Sequence, residues 1–232
     1  MPRALFPELF CGTRASQGAL RKFERLGVQR SFAPRQSIFS ERESAATVFG
    51  LSEGLVCLHK ALRDGRRQVV KFVLPGEFLG MPFMELYKVS AHAVGAVSVC
   101  GFPRDELRRL MDASPGMARL LINFAIREVD LAQEQQVLLA NASAEQRVGA
   151  FLVGWHARLA TLGPVSKAVP LPMRRRDIAD FLGLEPETLS RTFASLEQKK
   201  LIRIDPKGVT LTGLARKDAR RCCIVPGRRR HR

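Results

Sequence analysis

With four histidines, one tryptophan, one tyrosine and five cysteines among 232 residues, the chain has little of the material from which active sites are built. No Ser-His-Asp set, phosphate-binding loop or paired-carboxylate spacing stands out, which argues against an enzyme. A cupin-like metalloenzyme would need clustered histidines on adjacent strands, yet there is no H-x-H pair and only His59 and His92 fall within residues 28–103. The cysteines, Cys11, Cys57, Cys100, Cys222 and Cys223, show no C-x-x-C spacing, so structural zinc is not expected and a reducing compartment is. No apolar run approaches the ~18 residues of a membrane helix. Pro7 and Glu8 interrupt the early apolar residues, which excludes a signal peptide. The expectation is a cytoplasmic protein with no membrane association and no metal.

What the chain has in excess is positive charge, and it is unevenly placed. The formal net charge is +16. Residues 1–142 contribute +5 and residues 143–232 contribute +11, so the C-terminal part is the one suited to a polyanion. Of that, +7 belongs to residues 216–232, a short basic tail ending GRRRHR without apolar periodicity. The tail reads as disordered, adding either non-specific nucleic-acid affinity or nothing.

The basic half also carries the most informative segment, LPMRRRDIADFLGLEPETLSRTFASLEQKKL at residues 171–201. Ile178, Ala179, Phe181 and Leu182 lie at helical spacing over 176–182. Gly183 supplies a sharp turn, and Pro186 suits a first helical position. A second helix over 186–197 keeps Leu189, Phe193 and Leu196 on one face, and Glu187, Ser190 and Arg191 on the other. Two short helices around a tight turn form a helix-turn-helix. An Arg fork for guanine, a carboxylate for the cytosine amino group and a hydroxyl are what reading base edges in the major groove requires. Short β-branched runs at 201–204 and 209–211, joined by Asp205-Pro206-Lys207-Gly208, predict a hairpin wing. The opposing reading is a helical hairpin with a solvated charged face; motif, wing and charge together favour double-stranded DNA as the partner.

The stretch DIADFLGL with ETLSR resembles the DNA-binding signature of the Crp/Fnr superfamily of bacterial transcription regulators. LRDGRRQVVKFVLPGEFLGM and LAQEQQVLLANASAEQRVGAFL resemble its FixK and NnrR branch, and the likeness runs from about residue 31 to residue 211. The resemblance implies that Glu187, Ser190 and Arg191 read a TTGA(T) half-site, that Thr188 faces the backbone, and that RNA polymerase is a partner, with the loop 63–67 as one place of contact. In that loop, exposed arginines that only aid solubility are the other reading. Two departures stand out: Glu185 where a Thr commonly caps the recognition helix, and Arg174 where a Ser or Thr commonly caps the helix before it. A cation at a helix N-terminus opposes the macrodipole. Arg174, Arg175 and Arg176 are therefore read either as phosphate contacts or as a solvated charge run.

The rest of the chain is expected to be α+β. Residues 1–27 form an arm with one helix placing Leu20, Phe23 and Leu26 on a face. Short extended runs at 48–52, 55–62, 68–74 and 91–99, punctuated by Glu53-Gly54, Asp64-Gly65 and Pro75-Gly76, predict an antiparallel barrel or sandwich over 28–104. The resemblance makes it a β-roll of the cyclic-nucleotide-binding type. A linker and long helix follow within 105–142, the helix itself over 114–141, then a hinge at 142–144 and a winged helix-turn-helix domain over 143–215. Met117, Phe124, Leu131 and Leu138 recur at sevens, with Leu121 between. Such a stripe either pairs helices or buries itself against its own β-roll. The resemblance favours pairing, and with it a homodimer that sets two recognition helices one turn of DNA apart.

For a sensor function the β-roll offers few residues. A cyclic nucleotide in the resembling family would need an Arg-Ser pair and a Glu, and those places hold Tyr87, Lys88 and Met81. An iron-sulfur cluster would need four cysteines; near the N-terminus only Cys11 is present, although Cys100 aligns with the fourth position. Cys100 is read as a buried structural thiol or a redox site, and Cys222-Cys223 as a possible redox pair. Haem needs only one axial ligand, for which His59, His92 and His156 are candidates, and nitric-oxide responders occur among the resembling proteins. The expectation is no cofactor, with a haem- or small-effector-gated sensor as the alternative.

Overall fold

The computed structural model describes residues 17–212, which form two compact units dividing at Glu128/Val129. The basic tail, Cys11, Cys222 and Cys223 lie outside the described residues. No helix among those residues is long and apolar enough to cross a membrane.

The first unit opens with α1 (Gln17–Leu26), which buries Ala19 and Phe23, and continues through eight strands. These are β1 (Val28–Phe32), β2 (Ser37–Phe39), β3 (Thr47–Glu53), β4 (Val56–Ala61), β5 (Arg67–Val73), β6 (Phe78–Leu79), β7 (Ser90–Ala93) and β8 (Val97–Pro103). They make two antiparallel four-stranded sheets, ordered β1-β8-β3-β6 and β2-β7-β4-β5. One strand expected over 91–99 is two strands, because the chain turns at residues 94–96 and β8 joins the other sheet. Alternating inward residues of both sheets, among them Leu51, Val56, Val73, Ala91, Ala93 and Val99, fill the space between them.

Tyr87 sits in that interior. Its ring stacks on Phe39 at 3.7 Å between centroids, and its hydroxyl donates to the Thr47 carbonyl at 2.6 Å. Burial pushes the phenol up to about 12. Gly80, at φ +78°, lies so close that a side chain there would press on the Tyr87 ring at 3.2 Å. Tyr87→Phe keeps the stack and orphans the Thr47 acceptor, so a loss of about 1–3 kcal/mol is expected in urea melts of the first unit.

After the strands come α2 (Arg104–Ala113) and the long α3 (Pro115–Asn141). Met117, Leu121 and Phe124, expected at a dimer seam, are 0%, 1% and 3% exposed and pack with Phe23, Phe78, Phe102 and Leu107 of their own unit. The expectation is corrected: these three residues are core. The stripe's sevenfold spacing is real, but the face it marks is the one turned inward. Leu138 is buried as well, and only Leu131 of the set is exposed. Lys71 fixes the same stretch from outside the core, with its ammonium 2.7 Å from Glu128, 3.2 Å from Glu77 and over the Phe124 ring.

The second unit takes the end of α3, then α4 (Ala144–Ala160), β9 (Ala168–Val169), α5 (Arg175–Leu182), α6 (Pro186–Gln198), β10 (Ile202–Asp205) and β11 (Gly208–Leu211). The unit begins within α3, whose C-terminal part packs with α5: Gln135 donates to the Phe181 carbonyl at 3.2 Å. The break at residues 142–143 is a helix start, where Ser143 and Gln146 cap each other reciprocally. The three strands form a small sheet ordered β10-β11-β9. Gly208, at φ +144°, admits no side chain, since a Cβ would meet the Val169 carbonyl at 2.1 Å.

Candidate nucleic-acid interface

α5 and α6 meet at Gly183, whose left-handed backbone (φ +60°) ends α5 and lets the chain turn at once. Ile178, Ala179, Leu182, Leu189, Phe193 and Leu196 are buried, joined by Val148, Leu152 and Trp155 of α4. Among the residues facing away from that core on α6, Glu187, Ser190 and Arg191 lie in its first half and are exposed. They span about one helical turn, as three base-edge contacts in one half-site require. Without DNA their donors are turned inward: Ser190 donates to the Pro186 carbonyl at 3.0 Å, and Arg191 Nε to that of Glu187 at 3.4 Å. Both are weak ties within one helix, and a base edge replaces either one without unfolding anything.

Thr188 is half-buried beside them, and its carbonyl accepts from Thr192 at 2.8 Å. Arg174, Arg175 and Arg176 are exposed at the start of α5 but differ in role. Arg175 stacks its guanidinium 3.7 Å over the Phe193 ring, and desolvation lowers its pKa. It therefore braces α5 against α6 and presents only its edge outward. Arg174 lies 3.7 Å from the Asp177 carboxylate. That carboxylate also accepts from the Arg174 backbone N–H at 3.2 Å. Asp177 supplies the anion that the absent Ser or Thr cap would have left wanting, and it explains how a cation is tolerated there. At α6 nothing comparable happens: Glu185 makes no side-chain cap.

Two positioning groups were not foreseen, since both act across long stretches of chain. Arg147 on α4 donates to the Ala142 carbonyl at 2.9 Å and to Leu182 and Gly183 at 3.2 and 3.4 Å, pinning the end of α5. Glu145 holds the far end of α6, receiving Lys199 at 2.6 Å and Ser195 at 2.7 Å, and the Lys199 ammonium holds its carboxyl below the usual carboxylate range. Arg147→Ala is expected to cost about 1.5–3 kcal/mol of second-unit stability, read from urea denaturation, because a cation serving C-terminal carbonyls is lost.

The remaining candidate residues lie elsewhere. Cys100 is buried on β8, and burial raises its thiol pKa, which opposes the thiolate that oxidation needs. Burial favours its reading as a structural thiol. Lys88 is exposed, beside the buried Tyr87, and Met81 is half-buried at the edge of the apolar cluster around Phe102. A cyclic phosphate needs charged or N–H donors aimed inward, whereas Tyr87 turns its ring onto Phe39 and its hydroxyl to the Thr47 carbonyl. The residues do not fit that ligand. His156 is on α4, while His59 and His92 lie next to one another on β4 and β7.

Residues 29–114 match the family model described as a cyclic nucleotide-binding domain, and residues 146–216 match the Crp-like helix-turn-helix domain. The chain is 50% identical over 198 residues to the transcriptional activatory protein AadR of Rhodopseudomonas palustris, covering 85% of this chain and 83% of the relative. It is 44% identical over 200 residues to the nitrogen fixation regulation protein FixK of Bradyrhizobium diazoefficiens, covering 86% and 84%. Among solved structures, FixK2 from Bradyrhizobium japonicum superposes with a TM-score of 0.75 at 30% identity, over 84% of this chain and 95% of that one. The first two relatives are named for transcriptional activation and for regulation of nitrogen fixation.

Proposed function

The chain belongs to the Crp/Fnr family of transcription regulators, in its FixK-like branch, and from that premise we propose that it works in the cytoplasm as a homodimer on TTGA-type palindromes, activating genes under oxygen or nitrogen-oxide control through RNA polymerase. The observation that carries this reading is the exposed triad of Glu187, Ser190 and Arg191 on a helix whose far end is held by Glu145 of α4, while Arg147 of α4 pins the end of α5 before it. A homodimer is supported by α3. With Met117, Leu121 and Phe124 spent on the core, the exposed residues Ile122, Ile126, Val129, Gln133, Gln136 and Ala140 recur at alternating intervals of four and three. Ile122, Ile126 and Val129 are 47%, 53% and 55% exposed, unusual for three large apolar side chains in succession along one stripe. A second copy of the same helix covers such a stripe in a left-handed pair, and the isologous contact gives DNA two half-sites.

In this reading DNA binding needs no cyclic nucleotide, because the places expected to hold one carry Tyr87, Lys88 and Met81, and Tyr87 is engaged with Phe39 and Thr47. Selection of binding sites from random duplexes tests the proposal. A palindrome of TTGA half-sites is the expected product; a single half-site or an unrelated sequence would reject it.

A further inference from the structure

We propose that His59 and His92 form a binding site for one borderline divalent ion of the Zn2+, Ni2+ or Cu2+ kind, on the face of the sheet β2-β7-β4-β5 turned away from the space between the two sheets. The inference is independent of the DNA-binding reading and rests on the first unit alone. On β4 the inward residues are Val56 and Leu58, and on β7 they are Ala91 and Ala93, all part of the apolar interior. His59 and His92 alternate with them and so share the opposite face. In the ladder His59 stands opposite Ser90 and His92 opposite Cys57, which makes the two histidines diagonal neighbours.

Three features bring the rings together. The pairing of β4 with β5 slips between Leu58 and His59, and that of β2 with β7 slips between Ser37 and Phe39, where Ser37 faces His92. Each irregularity sits beside one of the histidines, and bulges re-aim side chains. The two Nδ1 atoms lie 3.2 Å apart, with ring centroids at 5.0 Å and planes inclined by 66°. With metal–nitrogen bonds of about 2.0–2.1 Å, an ion touching both nitrogens would see them about 100–106° apart, close to a tetrahedral angle. One N–H···N hydrogen bond also spans 3.2 Å, so the ion displaces that bond. Each ring stays neutral by carrying its remaining proton on Nε2. Imidazole pairs select ions from the zinc, nickel and copper group over calcium or magnesium. Among the described residues no third His, Cys, Asp or Glu completes a metal-binding group with the two histidines.

The experiment is a zinc titration of the full-length reduced protein, followed by long-range 1H–15N correlation of its histidine rings. The Nδ1 signals of His59 and His92 are expected to move together and to saturate near one equivalent, before His156 or His231 responds. His59→Gln and His92→Gln should each weaken zinc binding by about tenfold or more, since even indirect partners of metal ligands are worth about 10–100-fold. DNA affinity should be unchanged in the metal-free variants. The proposal is overturned if zinc goes first to His231 or to Cys222 and Cys223, if both variants bind zinc as the parent does, or if neither Nδ1 signal moves. The titration of the unaltered protein decides the matter should a variant fail to fold.

Discussion

Arg191→Ala is expected to cost about 1–3 kcal/mol at each half-site, hence about 2–6 kcal/mol on a palindrome, or roughly 30-fold to 10^4-fold in affinity. The guanidinium has the reach and the planar pair of donors that guanine O6 and N7 require, and its present partner is a single carbonyl at 3.4 Å. The loss should be selective. Binding to a scrambled duplex, which depends on phosphate contacts, should fall far less, so the ratio of specific to non-specific affinity collapses. Equal losses on both duplexes, measured by fluorescence anisotropy at one salt concentration, would show that Arg191 contacts phosphate instead.

On α3, charge placed on neighbouring residues is expected to do two different things. Ile126→Asp puts a carboxylate on an exposed position, so the fold should survive while the dimer falls apart. With one half-site per molecule, palindrome affinity should drop by about 10^2–10^4-fold. Phe124→Asp buries a carboxylate among Phe78, Met117 and Leu121, beside a Lys71 already engaged by Glu77 and Glu128, which is expected to unfold the first unit altogether. Sedimentation and far-UV circular dichroism separate the outcomes: a folded monomer for Ile126→Asp and an unfolded or aggregated chain for Phe124→Asp. A folded, monomeric Phe124→Asp would restore the sevenfold stripe as the seam.

That contrast shows what periodicity conveys. The interval of seven between Met117 and Phe124 establishes that they share a helix face. It does not say whether a partner or the chain's own β-roll covers that face, because both demand the same apolar spacing. The helix-turn-helix was legible because its determinants are local: Gly183 for the left-handed turn, Pro186 for the helix start, Leu189, Phe193 and Leu196 for the buried side. The strands around Gly95 were not, since apolar residues continue on both sides while the chain changes sheets. The braces of the recognition unit were invisible for another reason. Glu145 and Lys199 lie 54 residues apart, and Arg147 and the Gly183 carbonyl lie 36 apart, and no spacing rule pairs polar groups over such distances. At Arg174 the sequence showed a missing cap but not its remedy, although Asp177 stands at the third helical position, where a capping-box acid belongs.

Reading of a two-fold TTGA sequence by the unliganded dimer is tested most directly by the anisotropy of full-length protein titrated onto a TTGA palindrome, in air and without oxygen, with no nucleotide added. Tight binding under both atmospheres is predicted, weakened when either half-site is scrambled and unaffected by cyclic AMP, since an effector changes affinity only by binding the two conformations differently. Binding that emerges only after cyclic AMP, haem or nitric oxide is supplied, or that ignores the half-site sequence, would contradict it.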